Sequence, residues 1–168
     1  MSVHYSKFVK RDEYYTPRFL VDVIVPFVPQ DACVWCPFDT EGSEFVRAFE
    51  ERGNEVVHSH IWEGQDFFEY EPENWDVIVS NPPFSQKIDV LERCYSFEKP
   101  FALLLGLPML NYHVTGEFFS KSDRELQLLI VDKRVSFDGN PSSFNTSYFC
   151  SDLLPKDLSF HPIDGTGT

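Results

Sequence analysis

Residues 81–84 read Asn-Pro-Pro-Phe and directly follow the apolar run 77–80 (VIVS). Consecutive prolines remove two ladder donors and fix an extended backbone, so a strand must stop there and the loop beyond it is rigid. On that frame Asn81 offers an amide carbonyl beside the backbone carbonyl of Pro82, and Phe84 offers an aromatic face. Two convergent acceptors and one stacking ring suit a planar group that carries an exocyclic amine. An amine that gives both hydrogens to acceptors keeps its nitrogen lone pair available for attack on an electrophile. The plainer alternative is a strand stop with a capping Asn, which leaves two conformationally demanding prolines without a purpose.

Other reactive residues form weaker patterns. Cys33 and Cys36 make a C-x-x-C pair, but it sits inside the apolar run ACVWCPF and no second pair follows. A redox pair needs an exposed helix N-terminus behind its first Cys, so these two read as buried strand residues acting as small apolar groups. His58 and His60 share one strand face and could contribute two metal ligands, yet no nearby Asp or His extends the set, and no metal is expected. The phosphate-binding G-x-x-x-x-G-K-[ST], the dinucleotide G-x-G-x-x-G and the hydrolase G-x-S-x-G are all absent from the sequence.

The elements that must position these residues alternate along the chain. Residues 17–26 (PRFLVDVIVP) have helical apolar spacing and begin at Thr16-Pro17; 32–35 reads as a buried strand. An amphipathic helix over 44–51 ends at Gly53, strands follow at 55–59 and 75–80, and a short strand is expected around Phe67 and Phe68. A helix over 85–97, a fully apolar strand at 101–105 and a weaker helix over 113–121 come next. Strands at 125–131 and 143–150, separated by the turn cluster DGNPS, form an antiparallel pair. This order predicts an α/β fold: a doubly wound, mostly parallel sheet with helices on both faces and a C-terminal antiparallel hairpin. In such a sheet ligands bind beyond the carboxyl ends of the strands, which is where Asn81 stands.

With 168 residues, the chain has the size of a single domain, 1–168, with 163–168 as a frayed tail. Against 14 Lys plus Arg stand 27 Asp plus Glu, a net charge of −13 that repels polyanions unless the basic groups gather on one face. A freely acting duplex-DNA binder is therefore disfavoured. Lys7, Lys10, Arg11 and Arg18, with Lys133 and Arg134, are the candidates for such a face. No apolar run reaches the length of a membrane span, and the expectation is a soluble, cytoplasmic chain without membrane contact.

The motif D-x-I-x-S-N-P-P-F at 76–84 resembles the catalytic motif of the class I S-adenosylmethionine-dependent amino-methyltransferases. The Phe version resembles that of the adenine-N6 enzymes, and the overall pattern is similar to small, often phage-encoded members without a separate recognition domain. The resemblance implies a Rossmann-like fold, S-adenosylmethionine as cofactor, and Asn81, Pro82, Pro83 and Phe84 as the catalytic residues. Tyr14-Tyr15-Thr16-Pro17 resembles the segment that opens the family's cofactor site, which implies roles there for Thr16 and Pro17. Loop 36–43 (CPFDTEGS) resembles Asp-Pro-Phe-x-Gly-x-Gly and brings in Phe38 and Gly42. Residues 64–68 (GQDFF) resemble Gly-Asp-Phe, whose Asp accepts the cofactor's adenine amine and whose Phe packs on the ring; these are Asp66 and Phe67. Phe68 and Tyr70 read instead as core.

Three positions depart from the family pattern. Cys36 replaces the leading acid of the loop, Thr40 replaces its first Gly, and His58-Ser59-His60 stands where an acidic residue grips the ribose hydroxyls. Asp39 is the candidate to supply the missing carboxylate to the methionine ammonium, and His58 (or His60) the candidate ribose ligand.

The leading expectation is methylation of adenine N6 in nucleic acid, DNA ahead of RNA, with single-stranded or partner-delivered substrate easing the charge problem. Two alternatives stay open. One is a protein-glutamine or small-molecule N-methyltransferase, which the acidic surface favours and Phe84 disfavours. The other is a non-catalytic acidic binding protein of the same fold.

Overall fold

A computed structural model of the chain describes residues 15–121, 123–131, 135–136 and 143–162. The expected turn cluster at 138–142, the expected tail at 163–168, and Lys7, Lys10, Arg11, Tyr14, Lys133 and Arg134 lie outside the described residues.

Seven strands form one sheet: β1 (Val34–Cys36), β2 (Val56–His58), β3 (Val77–Ser80), β4 (Phe101–Gly106), β5 (Gln127–Val131), β8 (Thr146–Ser151) and β9 (Leu158–His161), in the order β2-β1-β3-β4-β8-β5-β9. β6 (Val135–Ser136) and β7 (Ser143–Phe144) pair separately. Strands β1 to β4 are mutually parallel; β8 runs antiparallel between β4 and β5, giving the expected antiparallel pair. The final strand β9, parallel to β5 on the sheet edge, was not anticipated.

The helices α1 (Arg18–Ile24), α2 (Glu44–Arg52), α3 (Lys87–Ser96) and α4 (His113–Ser120) fill the crossovers and flanks. α2 starts where the Ser43 side chain accepts from the Val46 amide at 3.2 Å, and it ends at Gly53, whose φ of 96° is a left-handed cap. Because strand side chains alternate, β1 sends Val34 and Cys36 into a core with Leu20, Ile24 and Phe49 and sends Trp35 into another with Trp75, Leu91 and Phe101. Burial on both faces explains why β1, β3 and β4 are apolar without alternation.

The strand expected at Phe67 and Phe68 does not form. The amides of Glu69 and Tyr70 both donate to the Asp66 carbonyl, making a tight turn, and the Phe67 carbonyl accepts from Arg93 at 2.7 Å. Phe67 packs at 5.5 Å from the Trp35 ring and 5.0 Å from Phe38, so its apolarity serves the core rather than a ladder. Without that strand β2 is the sheet edge, and β1 lies second from it.

Candidate functional site

The parallel strands deliver their carboxyl ends to one rim. Asp39 leaves the end of β1 with its amide donating to the Ser59 carbonyl at 3.2 Å, while the Ser59 amide donates back to Cys36 at 3.1 Å. These two bonds clamp the loop after β1 to the end of β2. The Asp39 carboxylate is buried and accepts from Ser80 Oγ at 2.8 Å, so the same loop is also tied to the last residue of β3. Asn81 follows at once, and its Nδ2 donates to Thr16 Oγ1 at 3.1 Å. Pro17, the N-cap of α1, holds extended geometry with φ −67° and ψ 146°, and so carries Thr16 toward Asn81.

Between these loops opens a cleft of about 210 Å³, with Thr16, Phe38, Asp39, Gly42, Asn81 and Pro83 in its wall. A Cβ added at Gly42 would meet nothing within 4 Å, so the cleft is open above that residue. A recess of about 20 Å³ adjoins it, sharing Phe38, His60 and Pro83 and adding Asp66 and Phe67. Within that recess Asp66 Oδ1 accepts from the Phe68 amide at 3.0 Å, whereas Asp66 Oδ2 is buried with no hydrogen-bond partner. A buried carboxylate oxygen without a protein donor costs free energy unless water or a ligand supplies one.

Of the twelve residues expected from the sequence, the structure brings Thr16, Phe38, Asp39, Gly42, Asn81, Pro83, Asp66 and Phe67 onto these two walls. Pro17 and Pro82 line neither space. Phe84 is 54% exposed at the start of the helical turn that leads into α3, outside both walls. His58 lines neither; its Nδ1 lies 3.9 Å from Glu63 Oε2. His60 lines both spaces and is 3% exposed. His60 Nδ1 accepts from the Trp62 amide at 3.1 Å, capping a short helical turn and leaving Nε2 as the ring's donor. The sequence signal for that role was the His-x-x-Glu-Gly pattern of a capped turn at 60–64, overshadowed by the strand before it.

Electrostatics follow burial. Desolvation pushes the Asp39 carboxyl up to about 6, against the opposing pull of Ser80, Ser43 and the two nearby histidines. Burial likewise raises the thiols of Cys33 and Cys36, consistent with inert apolar packing. Among the described residues no group of three or more His, Cys, Asp or Glu is placed to hold a metal ion, and no helix is long and apolar enough to cross a membrane.

No family model matches the chain, and no curated protein matches it by sequence. Solved structures do match in fold. The methyltransferase subunit of a type I restriction-modification system from Streptococcus thermophilus superposes with a TM-score of 0.62 at 13% identity, over 89% of this chain and 47% of that one. A protein from Vibrio vulnificus, described as a modification subunit of a type I restriction enzyme, gives 0.59 at 12% identity, over 94% and 48%. A chain from a type I restriction-modification system in study of its assembly gives 0.53 at 13%, over 90% and 45%. The chain thus spans about half the length of each of these neighbours. Its mixed seven-stranded sheet with flanking helices matches the class I methyltransferase fold.

Proposed function

We propose that the cleft binds S-adenosylmethionine and that the chain methylates the exocyclic N6 amine of adenine in nucleic acid, DNA ahead of RNA. The observation that carries this reading is that Asp39, from the loop after β1, and Asn81, at the end of β3, border one cleft. The orphaned Asp66 Oδ2 supports the cofactor, because the family's adenine amine supplies the donor that this oxygen lacks. Phe67 and Phe38 provide the apolar surface for that ring, Asp39 the carboxylate for an ammonium, and His60 Nε2 a hydrogen bond for a ribose oxygen. When bound, S-adenosylmethionine supplies an electrophilic methyl group on a cationic sulfur.

The chain's own part is positioning. Asn81 Oδ1 and the Pro82 carbonyl accept the two hydrogens of the target amine and hold its nitrogen toward the cleft. Thr16 engages Asn81 Nδ2, which keeps the amide from turning over and offering a donor to the amine instead. Phe84 is exposed and ready to stack on a base swung out of its strand. No side-chain base is required, since the amine loses its proton only after its nitrogen has bonded to carbon. The contribution is orientation and preorganised polarity. The named role of the fold neighbours, modification subunits of restriction systems, supports DNA as the acceptor.

The second reading is a non-catalytic acidic binding protein, favoured by the recess at Asp66: about 20 Å³ holds roughly one water, and a purine must widen it. Thermal unfolding with saturating S-adenosylmethionine separates the two. A raised midpoint supports the enzyme, and an unchanged one supports the binding protein.

A further inference from the structure

Two neighbouring strands place an exposed aromatic ring on either side of one lysine. From β3, Pro83 leads into Phe84, and Lys87 follows three residues later at the first position of α3, so the two side chains share a face. From β4, the helical turn Leu107–Asn111 leads into Tyr112, the N-cap of α4. Lys87 Nζ lies 4.1 Å from the Phe84 ring centroid and 5.0 Å from that of Tyr112. Both rings are open to solvent, Phe84 at 54% and Tyr112 at 42%. Neither Lys87 nor Tyr112 belongs to the cleft wall, and neither is needed for the core.

Lys87 differs from most of the described cations, although Arg124 is likewise set over two rings, those of Tyr95 and Phe118. Arg18, Arg47 and Lys121 are paired with carboxylates, and Arg52, Arg93 and Lys99 donate to backbone carbonyls. The Lys87 ammonium, in contrast, has no carboxylate partner among the described residues and is held only by ring faces. A cation placed by π-faces keeps its hydrogen-bond donors available for an incoming anion.

We propose that Phe84, Lys87 and Tyr112 form an acceptor platform for single-stranded nucleic acid: the rings stack bases, and Lys87 contacts the adjoining phosphate. This rests on the reading that Asn81 faces an adenine amine. Single strands are held by stacking rings together with cations beside the backbone, and every base offers a π-face to such rings. A duplex backbone would demand several cations on this rim, and most of the described cations are held elsewhere by carboxylates or backbone carbonyls.

The test is fluorescence anisotropy of a labelled adenine-containing single strand with the whole chain, alongside methyl transfer to the same strand. Lys87→Ala should weaken binding about tenfold at low salt and flatten the log–log salt dependence by about 0.7, the loss of one phosphate contact. Tyr112→Ala should weaken it by a similar factor and Tyr112→Phe should restore it; Tyr112 is exposed and Lys87 half-buried, and thermal melts check that each variant folds. Lys156→Ala, beyond the opposite end of the sheet before β9, should bind as the native chain does. Native binding that ignores both Lys87 and Tyr112, or that prefers duplex, overturns the platform and leaves the cofactor reading standing. Binding that depends on both residues without any methyl transfer supports the platform and overturns the catalytic reading. No binding to any nucleic acid, with transfer only to a glutamine peptide, overturns the platform and the adenine reading together.

Discussion

Ser80 Oγ donates to Asp39 Oδ2 across 2.8 Å in a buried position, joining the loop after β1 to the last residue of β3. Since Asn81 comes next in the chain, the proposed cofactor loop and the proposed catalytic amide share one rigid hinge point.

Asp39 makes stability and binding pull against each other. A carboxyl group whose pKa is raised in the fold, here from 3.8 to about 6, holds its proton more tightly folded than unfolded. Its cost is absent below the unfolded value and complete above about 6. Asp39→Asn should therefore stabilise the chain at pH 8, by on the order of 1–3 kcal/mol, with the gain vanishing toward pH 4. Cofactor affinity should move the other way: the native chain loses it as pH falls through about 6, and Asp39→Asn is weak at every pH. Denaturant melts and calorimetry across that range check both signs. A variant less stable at pH 8 contradicts the desolvation account.

Asp66 Oδ2 is the orphan oxygen of the recess. Asp66→Asn retains an acceptor for the Phe68 amide and turns an amide donor toward a ligand amine, so two donors face each other. Affinity for the cofactor or its demethylated product should fall by about 1–3 kcal/mol in calorimetry. Equal affinity would remove Asp66 from the site.

The sheet was legible because its signals were local and redundant. Short apolar runs at 77–79 and 101–105, bounded by turn residues, read as strands covered on both faces, and Gly53 marks the end of α2. The adjacent phenylalanines at 67 and 68 misled because burial of aromatic rings in a turn leaves the same apolar signature as a strand. β9 was invisible for the converse reason: LSFH exposes Leu158 and Phe160 on an edge and buries Ser159, the reverse of a core pattern. At the candidate site, residue types pointed to Asn81, Asp39 and Asp66, which the structure places on the two walls, whereas the placement there of His60 rather than His58 depends on where β2 stops. That boundary is set by the Ser59–Cys36 bond, a long-range contact.

Thr16 is expected to act through Asn81. Thr16→Val keeps shape and removes the oxygen that accepts from Asn81 Nδ2. A hydrogen bond of this kind is worth about 0.5–1.5 kcal/mol, so kcat should fall by up to about tenfold. The KM for nucleic acid should change little. A change confined to cofactor KM would instead make Thr16 a cofactor ligand alone.

Ser59 supports the frame rather than the chemistry. Its Oγ accepts from the fully buried indole of Trp35 at 2.9 Å. Ser59→Ala leaves that N–H without a partner and should cost about 1–3 kcal/mol of stability in urea melts. Turnover at temperatures below the transition should stay near native.

The most direct measurement is transfer of a labelled methyl group from S-adenosylmethionine to single-stranded, adenine-containing oligonucleotides at low salt, by the native chain and by Asn81→Ala side by side. The account predicts label in adenine with the native chain and none above background with Asn81→Ala, although calorimetry finds the variant binding cofactor as tightly as the native chain. Undiminished transfer by Asn81→Ala would contradict it.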